Sequence, residues 1–337
     1  MFNKITNLVF EGGGVLGIAY LGVLQYLYQN NILQNVERTA GTSAGAITAC
    51  ITSFNLPFQE TKKLVDTLDY KKVPEKDLPP DLRKIPVPIL NELEKVFGDF
   101  DCVYRLMNNY GWYSSEYFYN WIKEQINSQF DPSKKLPPYT FSDFKNTDIH
   151  NGKRPFLDLY IVGTDLSYRS SKVFSYESTP DMEVAKAVRI SMSIPLFFEA
   201  VKSNEDAMTN DYSTNVFCDG GVMWNYPINI FDTITFNEHN MPEANYQTLG
   251  AKFRSKIKYN EVNSLLNFVK NLYLSQLRIQ QDIFNRSPQD VVRSIQIDIG
   301  DITATDFNIS TGDETYNSLY NEGYRAAKMY FQNKMQQ

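Results

Sequence analysis

Histidine is scarce in this chain of 337 residues, which has only two, His150 and His239. Each lies in a polar, loop-like stretch, DIHNGKRP and TFNEHNMPEAN, and neither stretch has the signature of a catalytic triad. We therefore expect both imidazoles to be solvated at the surface. The scarcity also narrows the choice of a general base, because histidine is the most frequent one in enzymes.

Cysteine is rare as well, with three residues, Cys50, Cys102 and Cys218. They show neither CxxC spacing nor cysteine–histidine spacing, so the sequence predicts no disulfide framework and no zinc site. Buried free thiols in a reducing compartment are the expected state. We expect neither a metal nor a cofactor.

The sequence has no run of about 18 apolar residues and no excess of basic charge. The first absence predicts no membrane span, and the N-terminal segment has no basic region followed by an apolar one, so no secretory signal is expected. A net charge of −6 and a sequence pI of about 5.2 argue against nucleic acid as a partner. We expect a cytoplasmic protein, although the sequence does not distinguish action in its own cell from delivery into another.

Strand-like and helix-like segments alternate along the chain. The strand-like stretches include residues 8–10, 36–39, 156–163, 215–218 and 247–253. This order predicts one α/β domain over residues 1–337 with a central, mostly parallel or mixed sheet. Residues 71–112 differ, because they begin with the proline-rich KKVPEKDLPPDLRKIPVPIL. They predict an irregular cap or insertion within the domain.

The segment GWYSSEYFYNWIKEQI predicts a helix whose N-terminus Ser115 caps. Its large side chains are Tyr117, Phe118, Trp121 and Ile122. A face of this kind is usually part of a core, and a lipid-facing surface is the alternative. A long helix is predicted in the stretch that follows the strand at 247–253. One face of it carries Val262, Leu265, Leu266, Val269 and Leu272.

The first strand runs into EGGGVLGIAY, in which Gly12, Gly14 and Gly17 have the GxGxxG spacing of dinucleotide-binding proteins. A strand, a glycine-rich turn and a helix N-terminus form an anion-binding site whatever the anion is. A dinucleotide fold also needs an acidic residue about 20 positions later, and Glu37 lies near that position. A dinucleotide-binding oxidoreductase therefore stays open at this point.

A second glycine cluster follows at GTSAG, where Gly41 and Gly45 flank Ser43 two residues away on each side. GxSxG is the nucleophile elbow, a sharp turn that presents the serine hydroxyl at a helix N-terminus. Acyl transfer at such a serine needs two backbone N–H groups that point at the oxyanion. Together the two clusters favour Gly12, Gly13 and Gly14 as an oxyanion hole over a pyrophosphate site.

The general base has two candidates. Asp219 ends the apolar stretch VFCD and precedes Gly220 and Gly221, so a strand carries this carboxylate to a turn. A carboxylate desolvated there is a stronger base than free aspartate. His239 is the alternative, in a serine–acid–histidine triad.

These residues resemble the patatin-like phospholipases, a family of lipid acyl hydrolases. The resemblance rests on EGGGVLG, GTSAG, RISMSIPLFFEAV and the Asp-Gly-Gly at 219–221, and it extends over nearly the whole chain through IDIGDITATDFNIS near the end. It implies a three-layer α/β/α fold and a Ser43–Asp219 dyad without histidine. It also implies that Gly12 to Gly14 form the oxyanion hole. Where the family usually has a basic residue, this chain has Leu16.

The function that the resemblance implies is hydrolysis of phospholipids or related acyl lipids through an acyl-enzyme. The expected partner is a lipid substrate at a membrane surface, and the proline-rich cap is expected to border the site and contact lipid. An inactive, lipid-binding member is a further alternative. The sequence does not identify an activating protein, an acyl position or a head group.

Overall fold

A computed structural model describes residues 4–76, 100–204, 214–236, 242–254, 259–263 and 265–336. Most of the predicted cap, from 77 to 99, lies outside these residues, and so does His239. The position of the cap beside a site therefore stays a prediction, as does the assignment of 1–337 to one domain.

Twelve strands occur in the described residues. They are β1 Asn7–Phe10, β2 Arg38–Thr42, β3 Gly111–Tyr113, β4 Asp158–Asp165, β5 Ser170–Phe174, β6 Leu196–Phe198, β7 Val201–Ser203, β8 Asn215–Asp219, β9 Thr233–Phe236, β10 Pro242–Glu243, β11 Thr248–Arg254 and β12 Ser294–Asp298.

Eleven α-helices occur in the same residues. They are α1 Ile18–Gln29, α2 Ala44–Ser53, α3 Phe58–Val65, α4 Phe100–Asn109, α5 Glu116–Asn127, α6 Phe141–Lys145, α7 Val184–Met192, α8 Gly221–Trp224, α9 Leu265–Asn285, α10 Pro288–Val292 and α11 Glu314–Met335.

The central sheet has eight strands and is mixed, as the sequence predicts. β12, β11, β1, β2 and β4 lie side by side in that order and run parallel. β8 then pairs antiparallel with the last three residues of β4, and β7 pairs antiparallel with β8. β5 takes the other edge of β4.

Helices and loops cover both faces of this sheet, which gives the three-layer arrangement. Leu8 and Phe10 of β1 face the larger core, which also contains α1, α2 and α11. Val9, between them, faces the opposite side and packs with Ile228 and Phe231. This alternation along one strand reflects the two-residue period of a β-strand whose two faces are both buried.

Most predicted elements are present, with shifted ends. The strand predicted at 215–218 lies at Asn215–Asp219, whereas the strand predicted at 36–39 lies at Arg38–Thr42. This shift matters because β2 now ends directly before Ser43. The three cysteines are free and buried, as predicted. None of the helices in the described ranges combines the length and the hydropathy that crossing a bilayer requires.

The predicted cap at Ser115 is wrong in its chemistry. Ser115 precedes α5, but its hydroxyl accepts a hydrogen bond from Arg189 Nε at 2.9 Å. The Glu116 amide is capped instead by Ser114 Oγ at 3.1 Å. A half-buried arginine thus competes successfully for the Ser115 hydroxyl. The core face of the helix is confirmed, since Phe118, Trp121 and Ile122 are buried.

The expected surface position of His150 is also wrong, because this side chain is only 1% exposed. Its ring stacks on Phe156 with centroids 3.7 Å apart. The two ring nitrogens lie 2.8 Å from the Arg154 carbonyl oxygen and 2.9 Å from that of Asp143. The polar sequence around His150 does not indicate this burial, because the partners of the imidazole are backbone carbonyls and an aromatic ring.

His150→Ala should therefore lower the free energy of unfolding. Loss of the stacking and of the buried hydrogen bonding to a backbone carbonyl predicts a decrease of about 2–4 kcal/mol. Urea unfolding followed by circular dichroism measures it. Lys153→Ala, at a nearby exposed lysine, is the control and should change stability by less than about 0.5 kcal/mol. An equal, small effect of both substitutions would contradict a structural role for the imidazole.

Candidate active site

Ser43 lies between the end of β2 and the start of α2, at the sharp turn expected of GxSxG. Its backbone has φ 54° and ψ −122°, a strained conformation for a residue with a side chain. Gly45 allows the turn, because a Cβ there would lie 2.2 Å from the Phe10 carbonyl oxygen. The Ser43 amide donates to Ser191 Oγ at 2.9 Å, and this hydroxyl donates to the Val162 carbonyl. The turn is therefore held from β1, β4 and α7 together.

Asp219 reaches the same place from the opposite direction. On one edge of β4, Val162 pairs with Thr42 of β2, and the next residue, Gly163, pairs with Asp219 of β8. The C-terminal ends of β2 and β8 therefore meet head to head. Ser43 follows Thr42 directly, so the sheet register brings the serine beside the aspartate.

The Asp219 carboxylate is buried, with the residue 1% exposed. Its Oδ1 accepts a hydrogen bond from the Gly221 amide at 2.6 Å, and its Oδ2 has no hydrogen-bond partner among the described residues. Burial raises the pKa of Asp219 to about 7, although the nearby Ser43 hydroxyl and the Gly221 amide both act to lower it. The Ser43 hydroxyl therefore lowers the pKa of the carboxylate, although it does not complete a hydrogen bond to Oδ2.

The glycine loop lies against Ser43. A Cβ on Gly12 would lie 3.1 Å from Ser43 Cβ and 2.3 Å from Asn225 Oδ1, so a side chain at this position would collide with the site. The Gly12 amide donates to the Asn225 carbonyl at 2.9 Å. The amides of Gly13 and Gly14 have no hydrogen-bond partner among the described residues. Of the three predicted oxyanion donors, these two are the ones that are available.

A buried ion pair holds this loop against β11, and sequence reasoning missed it. Glu11 accepts a hydrogen bond from the Phe253 amide at 2.8 Å, and its carboxylate lies 3.5 Å from Lys252 Nζ. Burial raises the pKa of Glu11 and lowers the pKa of Lys252, while attraction between the two charges opposes both shifts. The available signal was a lone lysine inside the apolar strand TLGAKFR.

Helix α9 covers the turn that follows Asp219. Gln280 Nε2 donates to the Gly221 carbonyl at 2.9 Å, and its Oε1 accepts from the Asn225 amide at 2.7 Å. Gln276 donates to the Val222 carbonyl one turn earlier. Burial, and then the charge of Asp219, raise the pKa of Tyr273, which contacts the same turn. Ser43 is consequently only 4% exposed.

The structure also shows where Leu16 and Glu37 lie. Leu16 is buried in the larger core, so the position that is basic in the related family carries no charge here. Glu37 precedes β2, whereas a dinucleotide fold needs its acidic residue at the other end of that strand. Glu37 therefore lies at the end of β2 opposite to the one where a dinucleotide site has its acidic residue. The described residues include no group of three or more His, Cys, Asp or Glu able to hold a metal ion.

The fold and the site together define a three-layer α/β protein with a serine elbow, a glycine-rich loop and a buried aspartate. The family description Patatin-like phospholipase matches residues 8–232. The chain belongs to the patatin-like phospholipase family, and this membership supports lipid ester hydrolysis as its activity.

Individual proteins are similar to this chain in sequence or in fold. The chain is 28% identical to YqhO of Bacillus subtilis over 90% of each chain. It is 26% identical to the probable lipid hydrolase 463L of Invertebrate iridescent virus 6, over 66% of this chain and 62% of that one. The fold is similar to the crystal structure of VipD from Legionella pneumophila, with a TM-score of 0.57 and 18% identity, over 98% of this chain and 67% of that one.

The Glu11–Lys252 pair predicts a non-additive effect on stability. Glu11→Gln or Lys252→Met alone leaves one buried charge unpaired and should cost about 3–5 kcal/mol of unfolding free energy. The double substitution removes both charges and should cost clearly less than the sum. Urea unfolding of the four proteins forms the double-mutant cycle. Additive losses would mean that the two charges do not interact.

Proposed function

We propose that this protein is a serine lipid acyl hydrolase in which Ser43 is the nucleophile and Asp219 the general base. The observation that carries the proposal is the buried Asp219 Oδ2, which has no hydrogen-bond partner in the described residues and lies beside a serine in a strained elbow. A pKa of about 7 lets this carboxylate accept a proton near neutral pH.

The proposed reaction proceeds through an acyl-enzyme. Asp219 takes the hydroxyl proton as Ser43 Oγ forms a bond to the ester carbonyl carbon. The amides of Gly13 and Gly14 stabilise the oxyanion, and loss of one such donor typically costs about 3 kcal/mol of barrier. The tetrahedral intermediate collapses as Asp219 returns the proton to the leaving alcohol. The same carboxylate then deprotonates a water molecule that attacks the acyl-enzyme, and it returns the proton to Ser43 Oγ as the bond to the acyl carbon breaks and the fatty acid leaves.

An apolar opening beside the elbow supports an acyl chain as the bound group. Its cavity volume is about 50 Å³, and its apolar lining is what suits an acyl chain. It borders Gly14, Gly17 and Ala44, next to the proposed nucleophile. The remaining lining is almost entirely apolar and comes from Ile18, Leu21, Leu24, Ile47, Thr48, Ile51, Thr61, Val65, Leu68, Tyr70 and Trp121.

The proposal also names the substrate and the place in the cell where the protein acts. The substrate is a phospholipid or a related acyl lipid, and the protein acts in the cytoplasm at a membrane surface. Neither ring nitrogen of His150 is available to Ser43, because each lies against a backbone carbonyl. A triad through His239 is the remaining rival mechanism.

Substitution of the dyad tests the roles of the two side chains. Ser43→Ala should abolish hydrolysis and labelling by a fluorophosphonate probe. Asp219→Asn should lower kcat by at least about 10²- to 10⁴-fold, because asparagine keeps the shape but cannot take the proton. His239→Ala is the control and should keep near wild-type rates. Inactivation by His239→Ala, with activity retained in Asp219→Asn, would replace the dyad with a triad.

The pKa of Asp219 predicts the pH dependence. The base must be ionised, and burial raises its pKa to about 7, so kcat/KM should fall as the pH decreases through about 7. The limb should approach a tenfold fall per pH unit. Hydrolysis of a soluble short-chain ester between pH 5 and 9 measures it. A limb unchanged from wild type in the residual activity of Asp219→Asn would assign it to another group.

A further inference from the structure

Helix α9 shows an apolar face to the solvent. Four large side chains on it, Phe268, Leu272, Ile279 and Ile283, are each 56–65% exposed. They are four, seven and four residues apart, which places them within an arc of roughly 60° on an α-helix. We call these four residues the α9 stripe.

Helix α9 thus carries apolar side chains on the face where a surface helix normally has polar ones. Its inward contacts include hydrogen bonds, since Gln276 and Gln280 bind the turn after Asp219 and Gln281 binds Lys252. Contiguous exposed apolar surface of this kind marks an interaction site.

Further exposed apolar side chains lie near the stripe and lead to the candidate active site. Met223 is exposed on α8, directly after Val222, whose carbonyl accepts from Gln276. Val262 and Tyr259 are exposed just before α9 begins. The apolar surface therefore borders the turn that holds the proposed base.

A positive charge lies at the C-terminal end of the α9 stripe. Arg286 is exposed at the end of α9 and lies in line with Phe268, five helical turns away. Asp282, beside the stripe, is paired with Arg278 at 3.3 Å. Arg286 thus places a positive charge in line with the stripe, where it can meet an anionic lipid headgroup.

We propose that the α9 stripe is the surface by which the protein docks on a phospholipid bilayer that contains anionic lipid. The inference rests on the proposed function, because the bilayer would hold the substrate. A convex ridge on a single helix fits a deformable lipid surface, into which apolar side chains insert while Arg286 reaches the headgroups. A protein covering the same ridge would separate the site from a membrane.

Vesicle binding tests the inference without hydrolysis. In a Ser43→Ala background, the change Leu272→Gln/Ile279→Gln/Ile283→Gln should weaken co-sedimentation with phosphatidylcholine–phosphatidylserine vesicles at least tenfold. The control is Met107→Gln/Met329→Gln/Met335→Gln, which replaces three exposed methionines on α4 and α11. It should bind within about twofold of the parent.

Activity on a soluble short-chain ester separates docking from catalysis. With Ser43 present, the stripe variant should hydrolyse this ester within about twofold of wild type and lose hydrolysis of vesicles. Unchanged vesicle binding would overturn the inference. So would a wild-type dimer in light scattering that the stripe variant dissociates, because a second copy would then cover α9. Loss of vesicle binding in a protein that hydrolyses no ester would retain the docking surface and reject the proposed function.

Discussion

The meeting of β2 and β8 on one edge of β4 is the constraint on which the candidate site depends. Val162 and Gly163 are consecutive in β4, yet they pair with strands that arrive from opposite directions. A parallel strand ends at Ser43 and an antiparallel strand ends at Asp219, so the two functional groups meet without a loop to place them. The hydrogen-bond register of the sheet thus sets the distance between them.

Two buried carboxylates near this point serve different purposes because their surroundings differ. Glu11 has a lysine and a backbone amide as partners, and this pairing compensates for its burial. Asp219 has an amide on one oxygen only, and no cation pairs with it in the described residues. Burial without a counter-charge raises the pKa of Asp219 to about 7, at a cost in stability that functional sites commonly carry.

The local parts of the fold and site could be predicted from the sequence, whereas long-range pairing could not. GTSAG and EGGG have fixed spacings and therefore indicate a turn and an anion site directly. The antiparallel entry of β8 leaves no local signal, because NVFCD has the composition of any buried strand. His150 was misplaced for a similar reason, since its partners are backbone carbonyls that composition does not reveal.

Helix α9, which covers the turn after Asp219, is held by contacts of a different kind from those in the rest of the fold. Helices α1 and α11 pack through apolar and aromatic side chains, such as Tyr26 stacked on Phe331. In α9, Phe284 is the only buried hydrophobic residue among the side chains described, and glutamines supply most other inward contacts. Each such hydrogen bond contributes only about 1 kcal/mol, because water can replace it. The helix above Asp219 therefore has little apolar burial among its described side chains, which is the property of elements that open locally.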